Sequence, residues 1–127
     1  MSRAMKAPGP DHPITFGPAQ RHIRVLFKGR TVAESRRALA LDEASYPTVY
    51  YLPIADADRS LLQPTDTTTW CPYKGDASYY SLNVDGEVAR DAVWTYEQPF
   101  PAVAAIKDHI AFYPDRVDDI EVMPLEG

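Results

Sequence analysis

Residues 79–95 read Y-Y-S-L-N-V-D-G-E-V-A-R-D-A-V-W-T. Asp85-Gly86 is a two-residue hairpin dipeptide, because the tight turns that match strand twist need positive φ at their centre. Its flanks are rich in aromatic and β-branched residues, which suit a pleated, half-buried surface. With those two residues as the loop, Val84 pairs with Glu87 and the ladder runs on to Ala77 opposite Trp94. Side chains alternate along a strand. One face therefore collects Tyr80, Leu82, Val84, Ala89 and Val93 and reads as core. The other mixes Tyr79, Ser81, Asn83, Arg90 and Trp94 and reads as a partly wet surface or the wall of a cleft. A β-bulge would exchange the faces beyond its position.

The rest of the chain carries the same signature. In I-R-V-L-F (23–27) the residues Ile23, Val25 and Phe27 share a face, and T-V-A-E-S (31–35) returns through Lys28-Gly29-Arg30 as a second hairpin. R-A-L-A-L-D (37–42) fits a strand or a short helix by pattern alone. P-T-V-Y-Y-L-P (47–53) lies between prolines and reads as a strand near a sheet edge. Asp56 is placed to cap a short helix over 57–62, ended by Pro64. Pro101 reads as a first-turn proline opening a helix to about residue 106 or 109. H-I-A-F-Y (109–113) and V-D-D-I-E-V (117–122) read as closing strands. Twelve prolines in 127 residues favour short elements and many turns. The expected organisation is a Pro/Gly-rich disordered tail over 1–11 and a single, mainly β domain over 12–127 with one or two short helices.

Bulk properties narrow the function classes. No apolar run is long enough for a membrane-spanning helix, and residues 1–20 hold four prolines and no apolar block, so neither a membrane partner nor a signal peptide is expected. One cysteine forms no internal disulfide and completes no four-cysteine zinc site, which points to a reducing, cytoplasmic setting without metal or cofactor. Net charge is −5, with eight Lys/Arg against two acids in residues 1–37 and five against sixteen in 38–127. The basic part lacks a dense cluster with interleaved aromatics, so no nucleic-acid partner is expected.

The chemistry-bearing residues gather in T-T-T-W-C-P-Y-K-G-D-A-S-Y-Y (67–80). Cys71, Lys74 and Asp76 are the catalytic candidates, delivered by one turn beside the mixed hairpin face. Tyr51, Trp94 and Tyr96 would wall a pocket, with Tyr79 beside them, and Asp66, Arg90 and Lys74 would supply polar groups. Lys74 and Arg90 favour an acidic or phosphate-bearing small molecule. Cys71 as a nucleophile would use Lys74 to stabilise a thiolate and, lacking a second cysteine, would need an external thiol. His12, His22 and His109 are distant in sequence, and His109 reads as structural. The bland alternatives are aromatic core filling, an inert cysteine and a solvated Lys-Gly-Asp turn.

H-P-I-T-F (12–16), V-Y-Y-L-P (49–53), L-L-Q-P-T-D (61–66), C-P-Y-K-G-D-A-S-Y-Y (71–80), A-V-W-T-Y (92–96) and A-F-Y-P-D-R-V (111–117) together resemble the family catalogued as domain of unknown function 427, also catalogued as nucleotidyltransferase-like. The resemblance implies a compact tent-like antiparallel β fold, distantly similar to methionine sulfoxide reductase B and to small zinc-stapled β-domains. Paired C-x-x-C motifs are missing here, so aromatic packing must replace metal. Nucleotidyl transfer would need magnesium carboxylates and a phosphate-cradling loop. Asp56-Ala57-Asp58 is a weak match that reads better as a helix cap. The leading expectation is a small-molecule-binding domain, or an enzyme acting on an anionic metabolite. Its competitors are a non-catalytic interaction or self-assembling (homo-oligomeric) domain, and a thiol-dependent reductase or sensor using Cys71.

Overall fold

The structure, a computed structural model, describes residues 4–125. Ten strands are present among them: β1 (Ile14–Pro18), β2 (Arg21–Phe27), β3 (Arg30–Ser35), β4 (Leu39–Glu43), β5 (Val49–Pro53), β6 (Leu62–Cys71), β7 (Gly75–Val84), β8 (Glu87–Thr95), β9 (His109–Phe112) and β10 (Asp119–Pro124). They form a seven-stranded sheet in the order β1-β4-β5-β9-β8-β7-β6 and a three-stranded sheet in the order β10-β2-β3, with every pairing antiparallel. The chain is thus mainly β, as expected.

The hairpin forms on Asp85 and Gly86, both at positive φ, and Val84 pairs with Glu87. Beyond Leu82–Ala89 the register jumps, so that Tyr80 faces Val93 and Tyr79 faces Trp94. Asp91, at φ +49°, forms the bulge, and its N–H donates to Ser81 Oγ at 3.0 Å. The jump is two residues, so the alternation survives on either side of it. What the sequence reading missed is that both faces are covered. Leu82, Val84, Ala92, Val93, Ile110 and Phe112 pack against Ile23, Val25 and Phe27 of the small sheet. On the opposite face Ala77 and Tyr79 join Leu41, Tyr51, Tyr96 and Val103 in a second core. Tyr79 is therefore buried rather than on a wet face.

Three further expectations are corrected. β5 is an interior strand between β4 and β9, not an edge, because its prolines lie before the strand and at its last position. The helix expected over 57–62 is replaced by two 3-10 turns, Ile54–Asp56 and Arg59–Leu61, separated by an extended Ala57 that bridges Ala33. Asp58, not Asp56, is the cap, accepting from the Ser60 N–H at 3.1 Å. Asp56 instead accepts from Ser35 Oγ at 2.6 Å and Arg37 Nη2 at 2.8 Å. Pro64 belongs to the edge strand β6, next to a register shift, where its missing N–H removes no interior ladder bond. The segment opened by Pro101 is 3-10, Pro101–Ile106, broken by a non-helical Val103.

β1 was not expected from periodicity, and the ambiguous 37–42 segment resolves as the strand β4 that pairs with it. Of the expected tail, residues 1–3 lie outside the described residues. Within residues 4–11 the Lys6 N–H donates to Pro72 O of the C-P-Y-K turn at 2.8 Å. Among the described residues no helix is long and apolar enough to cross a membrane.

Candidate functional site

The turn between β6 and β7 is fixed by its backbone. Lys74 N–H donates to Cys71 O at 3.3 Å, and Phe100 N–H donates to Lys74 O at 2.9 Å. Gly75 follows at φ +111°, a region that side-chain-bearing residues rarely adopt, with Gln98 O 3.4 Å from where a Cβ would stand. This backbone turns Lys74 inward, leaving it 8% exposed. Its ammonium is hydrogen-bonded to Glu43 Oε1. Glu43 Oε2 lies 2.7 Å from His12 Nε2, and the His12 ring stacks on Tyr73 at 4.0 Å between centroids. Burial alone would raise the Glu43 carboxyl, but hydrogen bonds and charge from Lys74 and His12 outweigh it and hold the group below its usual range. Lys74 is consequently not the free cation its sequence position suggests. It is one end of a Lys74–Glu43–His12 chain, as a buried charge requires.

Around that chain the structure assembles most of the expected residues. Cys71 is half-buried and packs against the second core with Tyr51, Tyr79 and Tyr96. Tyr51, 1% exposed, accepts from Trp94 Nε1 at 3.3 Å, and burial pushes its hydroxyl pKa well above the usual tyrosine value. Tyr96 is shifted the same way by burial, and the Lys74 ammonium lies 6.0 Å from its ring centroid. Tyr79 shares hydrogen bonds with Thr69 Oγ1 at 2.9 Å and with the Tyr113 hydroxyl at 3.2 Å. Burial, and then that bond, push Tyr113 up to about 12. Tyr51 with Trp94, and Tyr79 with Thr69 and Tyr113, satisfy one another, and the result is a polar-lined core rather than an open pocket.

Three expected residues lie apart. Asp66 and Arg90 share a shallow depression with Gln63, Thr65 and Asp91 beside the β8 bulge. Asp76 is exposed at the start of β7, opposite Trp70 in register. Among the described residues no three His, Cys, Asp or Glu side chains converge as a metal site requires. Glu43 was absent from the sequence reading, and only the β1–β4 pairing, with Ile14 opposite Glu43, brings it near the histidine.

The open site is elsewhere. Between the two sheets lies a cleft of about 480 Å³. Val25 of β2, Leu52 of β5, Phe112 of β9 and Ile120 of β10 form apolar walls, and Trp94 lines it from β8. The loop at Tyr46–Thr48 and Pro114 border it, with Asp118 and Asp119 at the start of β10. Trp94 alone belongs both to this cleft and to the wall expected from the sequence. Asp118 Oδ2 accepts from the Gly29 N–H at 3.0 Å, and the backbone bonds from Gly29 and Lys28 hold its carboxyl below the usual range.

The family model described as Domain of unknown function (DUF427) matches residues 15–123, which span β1 to β10. No curated protein matches the chain. The chain belongs to the DUF427 family.

Proposed function

We propose that this chain is a small-molecule-binding domain whose ligand sits in the cleft between the two sheets. The carrying observation is the cleft itself, about 480 Å³ and walled by apolar side chains from both sheets. Ligand pockets typically span roughly 300–1,000 Å³ and combine such walls with a few polar groups. This reading keeps the expectation of a small-molecule-binding domain and moves the pocket away from Lys74 and Arg90, the groups that favoured an anionic ligand. The C-P-Y-K-G-D turn then serves as a brace, because its lysine is neutralised by Glu43 and the neighbouring Tyr79 bonds Tyr113. An anion site there would have to compete with Glu43 for the ammonium. A thiolate at Cys71 would face the same competitor.

Val122 is 43% exposed at the rim of the cleft, so Val122→Trp fills the opening with little strain in the core. Aromatic fragments such as indole and phenol derivatives should perturb the backbone amide resonances of Leu52, Trp94 and Ile120. The same fragments should leave the Val122→Trp protein unperturbed. Perturbations that survive that substitution, or a fragment set that moves none of these resonances, would overturn the assignment.

A further inference from the structure

Resting on that reading of the cleft, we infer that its ligand is an organic cation: an apolar or aromatic body bearing an ammonium group. Two features of the lining carry this. Its charged side chains are Asp118 and Asp119, with no lysine, arginine or histidine among the lining residues. Its aromatic side chains are Tyr46, Tyr50, Trp94 and Phe112. Aromatic rings attract cations through their negative faces, most strongly where water is excluded.

The two features are arranged by depth. Phe112 is 4% exposed, Trp94 and Tyr50 are half-buried, and Tyr46 stands 65% exposed beside the opening. The carboxylates lie at the entrance to β10, and Asp118 is oriented by the backbone amide of Gly29. Among the nearby cations, Arg116 lies 4.4 Å over the Tyr113 ring and donates to Asp91 O at 2.9 Å, and Lys28 lies over the Phe27 ring, its charge also reaching Asp118. An apolar body therefore meets Leu52, Phe112 and Ile120, while its ammonium meets two carboxylates and ring faces, Asp118 being already held by the Gly29 and Lys28 backbone. An anionic head group would meet the same two carboxylates as like charges.

Three compounds with one apolar body isolate the head group: 4-phenylbutylamine, 4-phenylbutanol and 4-phenylbutyrate, titrated at neutral pH and low salt and followed by amide resonances. The amine should bind about tenfold more tightly than the alcohol, and the carboxylate most weakly. Asp119→Asn, which removes no hydrogen bond to Gly29, should weaken the amine several-fold and leave the alcohol unchanged. Raising the salt should act in the same direction. Equal affinity for amine and alcohol overturns the cation preference while leaving the cleft as a binding site, and so does tightest binding by the carboxylate. Amine binding that persists in Val122→Trp, or no binding by any of the three, overturns both.

Discussion

Taking a lysine ammonium out of water is unfavourable unless an opposite charge comes with it. Lys74 and Glu43, with side chains 11% and 15% exposed, meet that requirement through each other. Removing one partner leaves the other buried and uncompensated, whereas removing both charges leaves a nearly neutral replacement. Lys74→Met should therefore destabilise the fold by about 3 kcal/mol, and the double variant with Glu43→Gln should recover most of that loss. The pH dependence has a definite sign. Glu43 titrates below its usual value near 4.5 in the folded protein, so its contribution is complete above that value and is lost as pH falls through the lower, folded-state value. Urea unfolding at pH 7 should show the full gap between wild type and Lys74→Met, and the gap should close in acid below about pH 4. A gap of equal size at both pH values would mean that lost packing, not the ion pair, sets the cost. At the same turn, Gly75→Ala should cost about 1–3 kcal/mol, because it forces a side chain into a φ of +111°. The same denaturation series measures it.

At the level of elements, the bulge in β8 ties the edge of the large sheet to its interior. Asp91 accepts from Thr65 Oγ1 and Thr67 Oγ1, both at 2.7 Å, where β6 loses register with β7. The edge strand is therefore held by side chains at the point where its backbone ladder is interrupted. Asp91→Ala should raise hydrogen exchange in β6 around Thr67 before it raises exchange in β9. Asp91→Asn, which keeps an acceptor and tolerates positive φ, should restore much of the protection. Uniform exchange across the sheet in Asp91→Ala would disprove the local tie. This bulge also shows which parts of the structure were legible beforehand. The Asp85-Gly86 hairpin was readable because two adjacent residues specify its turn. The jump two pairs further on was not, because Ser81 and Thr65 stabilise it from other strands. β5 looked like an edge since Pro47 and Pro53 flank it, yet its neighbours come from residues 39–41 and 109–110. The cluster at the C-P-Y-K turn was half legible. Cys71, Lys74 and Tyr79 sit in one stretch, but Glu43 lies 31 residues from Lys74 and arrives only through β4. The cleft was hardly legible at all, since its walls are drawn from β2, β5, β8, β9 and β10 and only Trp94 stood out.

On the scale of the whole molecule, adjacent residues of one strand serve opposite cores. Leu52 packs with Ile23, Val25 and Ile110 between the sheets, while Tyr51 packs with Leu41 and Tyr79 on the far side. The small sheet has no core of its own, because its inward residues Ile23 and Val25 are buried against side chains of β7, β8 and β9. Its strand β10 joins β2 across nearly the whole chain, with Arg24 Nε donating to Glu121 Oε1 at 2.7 Å. Three strands that bury their apolar face only on another sheet should have no independent stability. Ile23→Ala tests this directly, since Ile23 is fully buried and the truncation should cost about 2–5 kcal/mol. If the sheets unfold as one unit, the most protected amides of β3 and β8 should accelerate by the same factor in that variant. Acceleration confined to β2, β3 and β10 would show that the small sheet opens by itself. Such an opening would also separate Val25 and Ile120 from Leu52 and Phe112, the apolar walls of the cleft. A ligand that bridges the two sheets would then slow exchange in β3 and β10 by a factor of 1 + [L]/Kd, because it binds only the closed form.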